Sequence, residues 1–358
     1  MASNHLTAVS IFCFAALLNT STSMAAPHFP DRFPADTTKK DSIRYTPFKG
    51  LPLKAERNIK LTTTEGTWMS VDLSPDGKTI VFDLLGDLYT IPVTGGKATQ
   101  ITSGMAFDTH PRYSPDGKRI LFTSDRSGSE NLWYIDLEKK DTVQLTKDNN
   151  MNYPSAAWTP DGEYIVFSKG KLNVQLYMVH KNGGGGVQLI DAPANLKTID
   201  PAVSADGRYV YFSARTGGWN YNAPFPQYQI GMYDRKNAKY RTITNRYGSA
   251  FTPVLSKDGN WMVYGSRFEE NTGLVLKNLQ TGEEKWLVYP FQRDDQESIA
   301  TMGVLPGMCF TPDSKALIAF HEGKIKRFPI DGSKPSIIPF EVETTLELGP
   351  RLDFKYPI

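Results

Sequence analysis

The sequence predicts an all-β fold, a β-propeller with six recognisable four-stranded blades. Three observations carry this. A tight-turn tetrapeptide, Ser74-Pro75-Asp76-Gly77, returns as Ser114-Pro115-Asp116-Gly117 and Thr159-Pro160-Asp161-Gly162. Weaker copies stand at Ser204-Ala205-Asp206-Gly207, Ser256-Lys257-Asp258-Gly259 and Thr311-Pro312-Asp313-Ser314. The steps between copies are 40, 45, 45, 52 and 55 residues, the period of a propeller blade. Three further strand patterns keep register with the turns, and a scatter of such turns through an ordinary sandwich would not.

Each element has a local cause. In the turn, proline pre-sets φ, Asp bonds back to its own backbone, and Gly takes the positive φ that closes the hairpin. A short β-branched and aromatic run follows: Ile80-Val81-Phe82, Ile120-Leu121-Phe122, Ile165-Val166-Phe167, Val210-Tyr211-Phe212 and Met262-Val263-Tyr264. Runs of this length are strands rather than helices. A third strand recurs at Leu88-Tyr89, Leu132-Trp133, Leu176-Tyr177, Ile230-Gly231, Leu274-Val275 and Ile325-Lys326. A fourth recurs at Gln100-Ile101-Thr102, Gln144-Leu145-Thr146, Gln188-Leu189-Ile190, Thr242-Ile243-Thr244, Trp286-Leu287-Val288 and Ile337-Ile338. Four antiparallel strands per repeat make a blade. Whether the six close a ring or belong to a larger one stays open at this level.

Read in order, the chain opens with a targeting segment, residues 1–25. Ala8 to Leu18 is apolar but too short to span a bilayer, and Ser23-Met24-Ala25 supplies the small residues of a cleavage site. Cys13 leaves with that segment, so Cys309 is the one cysteine of the mature chain and no intramolecular disulfide is expected. Residues 26–56 read as an extended leader and 57–340 as the propeller. Residues 341–358 form a tail that opens like the first strand of a further blade. Asn58 to Thr62 matches the fourth-strand signature with no blade before it. It is expected to complete the last blade and lock the ring. Two insertions enlarge later repeats, Gly217 to Tyr228 and Phe291 to Pro306.

Composition sets limits on function. The net charge is +2, with 22% charged residues and no block of Lys and Arg, so neither nucleic acid nor a membrane surface is an expected partner. No transmembrane segment is expected in the mature chain. The five histidines are scattered, without H-x-H or H-E-x-x-H, and there is no G-x-S-x-G elbow. No catalytic constellation, metal or cofactor is therefore expected. Gly183 to Gly186 joins two strands and is a loop, not a phosphate cradle.

Three groups are candidates for binding. Asp108, His110 and Arg112 precede the second turn; they form either a polar cluster near the axial channel or an inter-blade hydrogen-bond network. Arg293, Asp294 and Asp295, with Glu297, either clamp a cation or a neighbouring domain or form a solvated charged loop. Trp219, Tyr221, Phe225 and Tyr228 lie on the first insertion, stiffened by Pro224 and Pro226. They are either a contact surface or a cap on the fourth and fifth blades.

The repeats resemble those of TolB-type WD40-like propellers. The phrases GTWMSVDLSPDG (66–77), VFDLLGDLYTIP (81–92), GGWNYNAPFPQYQI (217–230) and RDDQES (293–298) are similar to the N-terminal propeller of exported proteins that carry a metal-dependent amidohydrolase barrel downstream. That resemblance implies a hydrolase-associated module and carries over no catalytic residue, since this chain stops where those proteins continue. The expectation is an exported, periplasmic or secreted propeller that binds a protein, peptide or polymer partner through one face without catalysis of its own. The alternative is a substrate-gating propeller of an amidohydrolase.

Overall fold

Every repeat identified above folds into a four-stranded antiparallel sheet. The computed structural model describes residues 55–217, 224–351 and 353; residues 1–25, expected to be a targeting segment, lie outside them. Blades 1 to 6 span residues 71–100, 108–144, 152–188, 197–242, 251–288 and 309–338. There is no helix among the described residues, and none that could cross a membrane.

The turn chemistry is the same six times. In blade 1 the Ser74 hydroxyl donates to Asp76 at 2.6 Å and accepts the Thr79 amide at 2.9 Å, while Gly77 sits at φ 74°. Ser114, Thr159, Ser204, Ser256 and Thr311 repeat the hydroxyl-to-Asp bond. The fourth-strand signature has a cause as well. Thr102, Thr146 and Thr244 accept the amides of Leu88, Leu132 and Ile230 at 2.8, 3.0 and 2.8 Å, so a hydroxyl ends the ladder where strands diverge.

The turns also close the ring. A side chain added at Gly117 would meet Pro75; at Gly162, Pro115; at Gly207, Pro160; at Gly259, Ala205; and at Gly77, Pro312 of blade 6. The Asp258 amide donates to Ser314 at 3.2 Å, joining blade 5 to blade 6. Val71 of blade 1 donates to the Gly307 carbonyl just before blade 6 at 2.9 Å. Blade 6 therefore neighbours blade 1, and six blades complete the circle.

Two expectations about closure are corrected. Blade 6 has four strands of its own, ending with Ser336–Ile338. The N-terminal strand Arg57–Thr63 does not join it. It pairs antiparallel with Phe340–Leu348, whose first residues run parallel to Gly96–Lys97 of blade 1. The C-terminal strand is thus half of a ribbon over the seam, not the start of another blade. Burial explains the choice. Phe340 and Val342 alternate inward and are 3% and 0% exposed, packed among Phe82, Ile91, Ile318 and Ile338 from both flanking blades. A single N-terminal strand on the edge of blade 6 would bury none of these.

Strand direction gives the ring two faces. The links between strands one and two, and three and four, lie on one face, the turn face. The links between strands two and three, and from each blade to the next, lie on the opposite face, the connection face.

Candidate functional site

Inner strands line the axis, and four of them bulge. Their register against the second strand slips between Thr109 and Arg112, Asn152 and Ser155, Ile199 and Ala202, and Phe251 and Val254. Each slip contains a proline (Pro111, Pro154, Pro201, Pro253), which cannot donate to the ladder. The preceding residue is left-handed in three of them: His110, Asp200 and Thr252, at φ 56°, 55° and 52°. That conformation costs a non-glycine residue roughly 1–3 kcal/mol, and a side chain of the preceding blade holds each one. The His110 amide donates to Asp83 (2.8 Å), the Asp200 amide to Ser155 (2.8 Å) and the Thr252 amide to Ser213 (2.7 Å).

These bulges surround an axial cavity of about 390 Å³, open between the turns and lined by His110, Arg112, Asp200, Thr252 and Cys309 among others. Its electrostatics are set by burial. The Asp83 carboxyl, closed off from water, is pushed up to about 7, and Asp200 to about 6. The His110 imidazole is pushed down to about 4 by burial and by the nearby Arg112 charge. It is therefore neutral near pH 7, placed between Thr109 Oγ1 (3.2 Å) and the Met302 carbonyl (3.1 Å). Arg112 donates to the carbonyls of Val71 and Pro111 at 3.1 and 3.2 Å and lies against Gly307. Burial raises the Cys309 thiol, which holds it in its unreactive form.

The second insertion closes the other end of the axis. Its Met302 carbonyl accepts from the Trp68 indole at 3.0 Å and faces His110. Leu305 N donates to Thr252, and Gly307 N to Ser70. Phe291, Ala300, Val304 and Leu305 are all at most 5% exposed. The segment is a plug, anchored on blade 5 by the Arg267 guanidinium, which binds Asp294 at 2.6 Å and Glu297 at 2.8 Å.

The sequence candidates fall into place as follows. His110 and Arg112 face the axis and bond between blades, whereas Asp108 turns to Arg126 at 2.5 Å. Asp294 is not a solvated loop residue: it is buried in the plug's anchor, where Thr272 also donates to it. Arg293 is exposed and Asp295 half-buried. Trp219 and Tyr221 lie outside the described residues. Tyr228, expected on a contact loop, is 1% exposed and packs near Arg215, and Phe225 covers the Arg267 guanidinium at 4.7 Å. For these two rings packing is what the structure describes. Sequence reading missed Asp83, Asp200 and Thr252; for the last two, the D-P and T-P pairs just before a turn were the signal. Among the described residues no group of three or more His, Cys, Asp or Glu is placed to hold a metal ion.

The family model of the TolB beta propeller domain matches residues 51–223. The Tol-Pal system protein TolB of Wolinella succinogenes is 28% identical over 141 residues, 36% of this chain and 33% of that protein. The tricorn protease of Thermoplasma volcanium is 24% identical over 241 residues, 54% of this chain and 23% of that protein. The crystal structure of TolB from Acinetobacter baumannii superposes with a TM-score of 0.59 at 17% identity, covering 77% of this chain and 65% of that one. The matches span a half or less of the curated relatives. The chain is a β-propeller whose residues 51–223 are similar to the TolB beta propeller domain.

Proposed function

We propose that this chain is an exported, periplasmic propeller that binds a protein partner through its connection face and has no catalysis of its own. The observation that carries this reading is where apolar surface stays exposed. Leu85, Phe107, Tyr247, Phe268 and Ile299 are 43 to 84% exposed, and all sit in or at the ends of connection-face links. Of the other large exposed apolar residues among those described, only Leu137 and Val187 sit in or at the end of a turn-face link. Aromatic residues ringed by polar ones are what protein interfaces enrich. The test is photo-crosslinking in the native host, with the reactive residue at Phe107 or Phe268 against Lys118 or Glu163 on the turn face. A discrete adduct from the connection face alone is expected; an adduct from the turn face alone refutes the reading.

A second reading, substrate gating for an amidohydrolase barrel, is favoured by one specific observation. Three stretches that carry the closer resemblance meet at the plug, through Trp68 with Met302, Arg215 with the Gln296 carbonyl, and Arg267 with Phe225, Asp294 and Glu297. The identity of the adduct separates the two: a separate protein supports the first reading, a barrel-containing polypeptide the second.

A further inference from the structure

A second cavity lies away from the axis. A cleft of about 560 Å³ opens on the connection face between the lead-in to blade 1 (Gly66 to Trp68), the plug and the Phe320 to Gly323 hairpin of blade 6. Its size is that of a small-ligand site. Trp68 forms one wall, at φ 52°, a strained conformation of the kind that clusters at ligand sites. Its indole N–H is bound to the Met302 carbonyl, so the ring plane is fixed before anything binds. Met302 and Phe320 complete the apolar walls. Gln292 also lines the cleft, and its amide nitrogen is buried without a hydrogen-bond partner. A buried donor left unpaired is costly, and a ligand oxygen would satisfy it.

Charge narrows the ligand class. Asp295 is matched by Arg293 at 3.7 Å and Glu322 by Lys326 at 2.5 Å. Glu65, beside the cleft, is matched by Lys324 at 3.0 Å, and burial lowers His321 toward its neutral form. The rim is rich in donors and acceptors yet carries no surplus charge, so a charged ligand would leave one pair uncompensated. Arg293 reaches over the Trp68 ring at 5.9 Å, but its side chain is 81% exposed. An exposed pair of that length is a weak tie, and Arg293 can lift to admit a ligand and fold back over it. A flat ligand with an apolar face and a hydroxylated edge fits all of this. The C–H face of a pyranose lies on an electron-rich indole, and its hydroxyls meet planar amide, guanidinium and carboxylate groups.

We infer that the cleft walled by Trp68, Gln292, Met302 and Phe320 is a binding site for a neutral saccharide unit, independent of the protein-partner reading above. The test is isothermal titration of the full chain with maltotriose, cellotriose and triacetylchitotriose, and with trigalacturonate as the charged control. At least one neutral trisaccharide binds saturably and more tightly than trigalacturonate. Trp68→Ala and Gln292→Ala each weaken it by about tenfold or more, as expected for groups central to a pocket. Trp68→Ala also removes an anchor of the plug; Gln292→Ala removes no hydrogen bond and keeps the test valid should the first variant unfold. No binding of any neutral probe at millimolar concentration overturns the inference. So does binding that Gln292→Ala leaves unchanged, or a preference for trigalacturonate.

Discussion

The two faces of the ring handle the same residue type in opposite ways. On the turn face, Asp76, Asp161, Asp206 and Asp313 each accept a hydroxyl hydrogen and a nearby amide, which hold their carboxyls below the usual range. Toward the connection face and the axis, burial pushes Asp83 and Asp87 up to about 7 and Asp200 to about 6. The turn face spends its polar groups on itself, and its glycines and prolines on closing the ring. The connection face holds the plug, the cleft and most of the exposed aromatic surface. The difference teaches that the repeat specifies the scaffold, while departures from the repeat specify the site.

That division fails if the ring is not closed, so the largest expected effect tests the seam. Phe340 is 3% exposed, with its ring 5.3 Å from Phe82. Phe340→Ala should lose about 3–5 kcal/mol in urea denaturation; a loss under about 1 kcal/mol would mean the ribbon does not seal blades 6 and 1.

Next comes Asp83. Both its oxygens accept backbone amides, Ser70 at 2.7 Å and His110 at 2.8 Å. Asn offers one acceptor and turns an N–H on the other amide, so Asp83→Asn should cost about 1–3 kcal/mol. An unchanged urea midpoint would remove Asp83 from the inter-blade tie.

The same carboxyl sets a pH dependence of known sign. A folded pKa raised from 3.8 to about 7 means the native state binds the proton more tightly than the unfolded chain. Stability should therefore fall as pH rises from about 4 to about 7. The turn carboxyls, held low, have the opposite sign: their contribution is present above about 4 and lost as pH falls further. Urea midpoints measured from pH 3 to 8 should peak near the join of these windows. A steady rise to pH 8 would contradict the contrast between faces.

The smallest effects distinguish scaffold from surface. Ser114→Ala removes the hydroxyl that accepts the Arg119 amide and donates to Asp116, and should cost about 0.5–1.5 kcal/mol without touching partner capture. Phe107→Ser should change stability by no more than about 0.5 kcal/mol while abolishing capture.

What was legible in the sequence follows the same line. The Ser-Pro-Asp-Gly turns and the terminal Thr of the fourth strand were readable because their bonds span at most about one blade. The plug was not, since Trp68 and Met302 are 234 residues apart and nothing local in either stretch names the other. The ribbon was half readable: Asn58 to Thr62 looked like an outer strand and is one, but its partner is decided by the inward alternation of Phe340, Val342 and Thr344. Asp200 and Thr252 were hidden for a different reason. Their role lies in a backbone bulge, and only the following proline marks it.

Division of labour between the faces is tested most directly by hydrogen exchange on the chain, free and bound to the captured partner. The account expects slowed exchange in the connection-face links around residues 84–87, 104–108, 246–250 and 267–272, with the turns at 74–78, 114–118 and 159–163 unchanged. Slowed exchange at those turns, with the connection-face links unaltered, would contradict it.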